Sequence, residues 1–189
     1  MKDFGVVSTP QLHYFVVCEN TAGAYGEATV EGYFKKLANA FVKFRENVSR
    51  FKLLFSVLKL KPTLLLQKKT NGDYNHELDF DGANGVGAIS MQALMSVVNG
   101  SENDLMQVNI YNGNVENGQM LNAGCGADFV KVQQRSPENF PAIPLRRCVS
   151  FDGDADRVIY FYKDTSDVFH MLDGDRIATL GGFELNALA

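Results

Sequence analysis

The sequence predicts a three-layer α/β/α domain, with helices on both faces of a mixed, largely parallel sheet. Three observations support this class. Short β-prone runs, ELDFD (Glu77–Asp81) and MQVNIY (residues 106–111), stand either side of an apolar segment with helical spacing at residues 89–98. Such strand–helix–strand alternation marks parallel strands joined by a crossover. Glycine-bearing stretches, GANGVGA and NGNVENG, follow the two runs, as turns out of strands require. Finally, VIYFY and VFHML are separated only by KDTSD, a length that suits a hairpin and therefore an antiparallel edge. At 189 residues, 46% hydrophobic and 21% charged, the chain has room for one ordinary domain, or one domain and a fragment of another.

Taken in order, DFGVVSTPQLHYFVV (residues 3–17) reads as an extended segment, a turn at Thr9-Pro10 and a further β-prone run. NTAGAYGEA follows as a loop. A long helix is expected from Thr29 as N-cap, with Glu31 in its first turn. Phe41, Phe44, Val48, Phe51, Phe55 and Leu58 recur at steps of three or four and share one face of it. Pro62 should end or kink that helix, and the polar stretch QKKTNGDYN carries a turn at Asn71-Gly72. Beyond the two strands already named, residues 125–134 suit a short helix and SPENFPAIP a proline-bearing connection. RRCVSFD, VIYFY and VFHML are the third, fourth and fifth strands, and Asp173-Gly174-Asp175 introduces a last helix. There is no internal repeat and no low-complexity tract.

Composition excludes several functions. A net charge of −4 gives no electrostatic footprint for nucleic acid. Cys18, Cys125 and Cys148 are odd in number and lack C-x-x-C spacing, which fits free thiols in a reducing compartment. MKDFGVVSTPQLHY has no apolar core of the kind a signal peptide needs. The most apolar window, FKLLFSVLKLKPTLLL, is interrupted by three lysines and Pro62 and is too short to span a bilayer. A cytoplasmic protein without membrane contact is expected. Lys43, Arg45, Arg50, Lys52, Lys59 and Lys61 beside the phenylalanine stripe read as solvated edges of a core face. The glycines of GANGVGA miss the G-x-G-x-x-G order of a dinucleotide site; they are expected to serve a strand-to-helix turn, through positive φ and close packing. His13, His76 and His170 are too scattered to form a ligand set, and Cys125, with no histidine partner nearby, reads as a buried thiol.

The chemistry concentrates in SFDGDADRVIYFY (residues 150–162), where Asp152, Asp154 and Asp156 alternate. Carboxylates so crowded repel one another, and a hard divalent cation bound through oxygen relieves the repulsion. An EF-hand is ruled out, because the sixth loop position is Arg157 and the twelfth is Lys163, between strands instead of helices. A phosphatase using Asp152 as nucleophile would need further acidic and lysine motifs that the chain does not place. A magnesium site, with Asp152, Asp154 and Asp156 as ligands and Arg157 turned toward a phosphate, competes with a plain solvated turn.

The wider sequence bears on that choice. DGDADR resembles the metal-binding loop of the α-D-phosphohexomutases. TPQLHY, NT…YG.AT.EGY..KL..AF (residues 20–41), DGANGVGA (residues 81–88), LN..CGADFVK..Q (residues 121–134), SFDGDADR and LDGDRIATL (residues 172–180) together are similar to the phosphoacetylglucosamine mutase family, in the family's order and over most of the chain. Residues 47–75 carry no recognisable motif. The resemblance implies interconversion of N-acetylglucosamine 6-phosphate and N-acetylglucosamine 1-phosphate, feeding UDP-N-acetylglucosamine synthesis. A phosphorylated serine of the first of four domains gives its phosphoryl group to the sugar, and a bisphosphate turns over in the cleft.

It also implies Mg2+ held by Asp152, Asp154 and Asp156, with Arg157 on the phosphate side and a hexosamine phosphate as substrate. Residues 1–20 are then expected to be the end of the first domain, 21–75 a connecting helix and variable segment, and 76–189 the metal-binding second domain. The chain departs from the family in having no serine-histidine-asparagine-proline type motif, and it stops soon after LDGDRIATL, before the sugar-recognition and C-terminal phosphate loops. Alone it is expected to be inactive. The rivals are a mutase of glucose or mannose phosphates, and a non-catalytic truncated paralogue acting as an interaction module. The sequence leaves oligomeric state open.

Overall fold

The computed structural model describes residues 2–46, 76–99, 106–141 and 143–186. The first element corrects the sequence expectation: TPQLHYFVVCEN is not a turn and a strand but a helix, α1 (Thr9–Asn20). A capping box explains why. The Ser8 hydroxyl accepts from the Gln11 amide, the Gln11 side chain accepts from the Ser8 amide at 2.9 Å, and Pro10 sits in the first turn, where its missing N–H costs nothing. The helix buries Tyr14, Phe15 and Cys18 against Phe4, Val7, Ala28 and Tyr33. α2 (Val30–Glu46) begins where expected, with the Thr29 hydroxyl accepting from the Gly32 amide at 3.0 Å, and buries Phe34 and Ala38. The distal phenylalanines of the stripe, the break at Pro62 and the Asn71-Gly72 turn lie outside the described residues.

The remaining described residues build a five-stranded mixed sheet. β1 (Glu77–Asp81) is followed by α3 (Val86–Asn99) and β2 (Gln107–Tyr111). α4 (Ala127–Gln133) precedes β3 (Cys148–Phe151), β4 (Val158–Lys163) and β5 (Phe169–Leu172), and α5 (Gly174–Asn186) follows. The spatial order is β2-β1-β3-β4-β5. β1 pairs in parallel with β2 (Phe80 opposite Ile110) and with β3 (Phe80 opposite Val149). β3–β4 and β4–β5 are antiparallel, with Ser150 opposite Ile159 and Phe161 opposite Met171. The parallel character is thus confined to the first three strands, and KDTSD closes the expected hairpin.

Strand alternation sorts the sheet into two faces. Cys148, Ile159 and Phe161 point to one, where they pack with Ala127 and Val130 of α4 and with Phe140. Phe80 and Phe151 point to the other, ring centroids 4.9 Å apart and nearly perpendicular; there Gly87 lets α3 approach, since a Cβ on it would stand 3.2 Å from the Phe151 ring. α3 and α4 therefore cover opposite faces, giving the three layers. In the middle of β1, Arg146 clamps the fully buried Asp79 with its Nε and Nη2 at 2.9 and 2.7 Å, and Asn109 Nδ2 donates to the same carboxylate at 2.9 Å. Such fork-to-carboxylate geometry offsets the desolvation of a buried anion. Among the described residues no helix is long and apolar enough to cross a membrane.

Candidate metal centre

β1 leads away to β2 on one side of the sheet, while β3 leads to β4 on the other. The crevice outside the carboxyl ends of β1 and β3 is therefore the topological switch point, where open α/β sheets bind ligands. The turn after β1 and the aspartate loop after β3 meet there.

The aspartate loop is tightly folded. The Ala155 amide donates to the Asp152 carbonyl at 3.1 Å, and Ala155 lies in the left-handed region with φ 61°. Asp152 is buried, at 2% exposure, while Asp154 and Asp156 are exposed. One oxygen from each of the three carboxylates lies within 4.8 Å of the others. Asp152 Oδ1 accepts from the amides of Asp156 and Arg157, each at 3.2 Å, and its Oδ2 from Arg157 Nε at 2.7 Å. Arg157 Nη1 donates to Asp128 in the first turn of α4. Asp154 Oδ2 accepts from the Thr9 hydroxyl at 2.7 Å, and the Asp154 carbonyl accepts from the Thr9 amide at 3.1 Å.

The floor of the crevice is backbone against backbone. The Val86 amide, which opens α3, donates to the Gly153 carbonyl at 3.1 Å. A Cβ on Gly85 would lie 2.2 Å from that same oxygen, and one on Gly82 2.8 Å from Ala88 Cβ. The glycines of GANGVGA thus serve close approach. The left-handed conformations of the turn fall instead on Ala83 and Asn84, at φ 55° and 53°, so that half of the sequence expectation was misplaced. α1 and α3 both present amino ends to the aspartate loop, and the positive ends of their dipoles favour negative charge there.

Beneath the site, Asp81 is fully buried and joins three segments. Its Oδ2 accepts from Ser150 Oγ at 2.5 Å and the Gly126 amide at 2.8 Å. Its Oδ1 accepts from Asn112 Nδ2 at 2.8 Å and the Ala83 amide at 3.3 Å. Asn84 ties in a further loop, donating from Nδ2 to the Met120 carbonyl at 3.1 Å and to Cys125 Sγ at 3.7 Å.

Electrostatics separate the three loop carboxylates. Burial by itself would raise the pKa of Asp152, but the hydrogen bonds and charge of Arg157 outweigh it and hold the carboxyl below its ordinary value. Asp156 is pushed up, by partial desolvation and then by the charges of Asp152 and Asp154. Arg157 is raised by its bonds to Asp128 and Asp152. A cluster of three oxygen donors under mutual repulsion, two of them open to solvent, suits a hard divalent cation.

The expected ligands Asp152, Asp154 and Asp156 are brought together. Arg157 stands beside them with Nε and Nη1 engaged by Asp152 and Asp128. His13 is exposed on α1, and His170 Nε2 bonds Asp164 Oδ2 at 3.0 Å, away from any ligand cluster among the described residues. Cys125 is buried as expected, its thiol pushed up to about 11 by burial and by the charge of Asp81. Thr9, Asp81 and Asp128 carry roles that sequence reasoning did not assign. Asp128 had one legible signal, an acid in the first turn of a predicted helix.

Fold and loop together define an α/β domain that presents three carboxylates at the switch point of a mixed sheet, and solved structures similar to it are members of the α-D-phosphohexomutase superfamily. The family model described as phosphoacetylglucosamine mutase AMG1, domain II, matches residues 46–159. The phosphoacetylglucosamine mutases of Sus scrofa and Homo sapiens are each 40% identical over 178 residues, 94% of this chain and 28% of theirs. The N-acetylphosphoglucosamine mutase of Aspergillus fumigatus, solved with GlcNAc-6P and magnesium, is 39% identical with a TM-score of 0.73, over 95% of this chain and 31% of that one. An N-acetylglucosamine-phosphate mutase of the superfamily, solved in its substrate complex, gives a TM-score of 0.78 at 31% identity, over 98% of this chain and 30% of that one. The chain belongs to the phosphoacetylglucosamine mutase family. It spans less than a third of the length of the curated relatives cited.

Proposed function

We propose that this chain is the magnesium-holding part of a phosphoacetylglucosamine mutase, the isomerase that interconverts N-acetylglucosamine 6-phosphate and N-acetylglucosamine 1-phosphate in the cytoplasm. The observation that carries the reading is the convergence of Asp152, Asp154 and Asp156 at the switch point, oxygens within 4.8 Å of one another. The relatives cited are named for the acetylglucosamine sugar, which is why we prefer it to glucose or mannose. Residues 76–189 would form the metal-binding domain, reached through 21–75, with 1–20 closing a preceding one.

Asp152, Asp154 and Asp156 would hold the cation; when bound, magnesium offsets the negative charge of a phosphoryl group in transfer, a reaction that needs positioning and charge compensation above all. The protein's own part is to keep the cradle ready. Arg157 and two backbone amides fix Asp152 and keep it ionised at neutral pH. Arg157 would meet the phosphate side with its guanidinium, braced from behind by Asp128. Turnover also needs a phosphorylated serine, and no serine-histidine-asparagine-proline type motif is present in these 189 residues. The isolated polypeptide should therefore bind magnesium weakly and show no mutase activity.

Calorimetry with Mg2+ on the wild type and Asp154→Asn tests the loop. Weak binding that disappears in the variant is expected. Equal heats in both would sink the metal assignment, and measurable conversion of N-acetylglucosamine 6-phosphate by the 189-residue chain would sink the division of labour.

A further inference from the structure

We infer that Thr9 is a positioning residue for the metal loop: its hydroxyl aims the Asp154 carboxylate into the cation cradle. The inference rests on the magnesium reading above. Asp154 is the exposed ligand reached from outside the sheet domain, and it is gripped at two points by one residue 145 positions earlier. Thr9 Oγ1 donates to Asp154 Oδ2 at 2.7 Å, and Thr9 N donates to the Asp154 carbonyl at 3.1 Å.

The grip follows from how α1 starts. The first amides of a helix have no partner within it. Ser8, 3% exposed, caps Gln11 with its hydroxyl, so the Thr9 amide is left to find an acceptor, and it takes the loop carbonyl. That main-chain bond sets Thr9 beside Asp154, and the β-branched side chain, with few rotamers to lose, reaches the carboxylate. Asp154 needs such a hold. Facing Asp152 and Asp156, an exposed carboxylate gains by swinging outward, away from like charge. A hydroxyl donating to one of its oxygens opposes that swing while leaving acceptor capacity on both. Groups that orient metal ligands in this way typically change affinity by 10- to 100-fold, roughly, when removed.

The test uses Mn2+ as probe, followed by electron paramagnetic resonance of the free ion and by water-proton relaxation, on the 189-residue chain. Thr9→Val keeps the shape and the main-chain bond but loses the hydroxyl. It should bind Mn2+ about tenfold more weakly than wild type, at the low end of such losses, with an unchanged melting temperature in the absence of metal. Thr9→Ser should restore binding. Asp154→Asn, with or without Thr9→Val, should show no measurable Mn2+ binding. Should Thr9→Val not fold, Thr9→Ala reads the same loss. Wild-type affinity in Thr9→Val, or an affinity in Thr9→Ser as weak as that of Thr9→Val, overturns the positioning role while leaving the magnesium reading intact. Manganese binding that is indifferent to Asp154→Asn removes both.

Discussion

Replacing Asp81 by asparagine conserves volume and shape, yet it should be one of the more damaging single-atom changes in the domain. Ionised aspartate only accepts, and here four donors converge on it: Ser150 Oγ and the Gly126 amide on Oδ2, Asn112 Nδ2 and the Ala83 amide on Oδ1. An asparagine amide offers one oxygen. Placed toward Asn112 and Ala83, it leaves its NH2 facing the Gly126 N–H; Ser150 can rotate to accept, but a backbone amide cannot. Placed toward Gly126 and Ser150, it leaves the NH2 facing Ala83 N–H and Asn112 Nδ2. Either way a buried donor meets a donor, at about 1–3 kcal/mol for the unsatisfied group, with a further ~1 kcal/mol for lost charge assistance on the bonds that remain.

Relief from burying a charge offsets part of this, so a net loss of about 2–3 kcal/mol is expected, or roughly 5–10 °C in melting temperature for a chain of this size. Urea unfolding followed by far-ultraviolet circular dichroism measures it, and Ser150→Ala, which removes one donor without inverting another, should lose only about 1 kcal/mol. A stability for Asp81→Asn within about 0.5 kcal/mol of wild type, the scatter of innocuous surface changes, would refute the account of Asp81 as the pin of three loops.

Gly85→Ala should cost about 3 kcal/mol or more, because its Cβ would fall 2.2 Å from the Gly153 carbonyl oxygen and 2.6 Å from Gly153 Cα, which are backbone atoms that cannot rotate aside. Chemical denaturation measures the loss, and wild-type stability would show that the two turns are not in contact. Alkaline pH should weaken the fold through two thiols. Burial, then the charges of Asp81 and Asp79 respectively, push Cys125 up to about 11 and Cys148 up to about 12. The native state therefore favours the protonated thiols. Their contribution is whole below the ordinary thiol value near 8.5 and is lost as pH rises from there through about 11 and 12. Urea midpoints compared at pH 8 and pH 10.5 should fall less in Cys148→Ala than in wild type; equal falls would reject the assignment.

Most of the sheet was legible because its information is local. ELDFD, VIYFY and VFHML carry their own alternation, and the turn between the last two carries its own length. α1 was misread for a physical reason. The β-prone composition of LHYFVV suggested a strand, but Ser8 and Gln11 form a capping box spaced three apart, and nucleation at that cap decided the segment. The three loop aspartates were legible because they are near neighbours in the chain. Thr9 was not, since it meets the loop only through tertiary packing across 145 positions, and Asp128, 29 positions from its partner, showed only as an acid in a helix's first turn. In the turn after β1, glycine marked where backbone comes close, while Ala83 and Asn84 took the left-handed conformations. An asparagine there is unsurprising; an alanine is held there by its surroundings.

The main-chain bonds from Val86 to the Gly153 carbonyl and from Thr9 to the Asp154 carbonyl, both 3.1 Å, tie the loop to the first residues of two helices. Ordinarily an amide at the start of a helix trades its hydrogen with solvent quickly, having no intrahelical acceptor. These two are shielded only while the aspartate loop is closed upon them. Their deuterium uptake is therefore a gauge of the loop's opening equilibrium, readable residue by residue without a substrate, a label or a turnover assay.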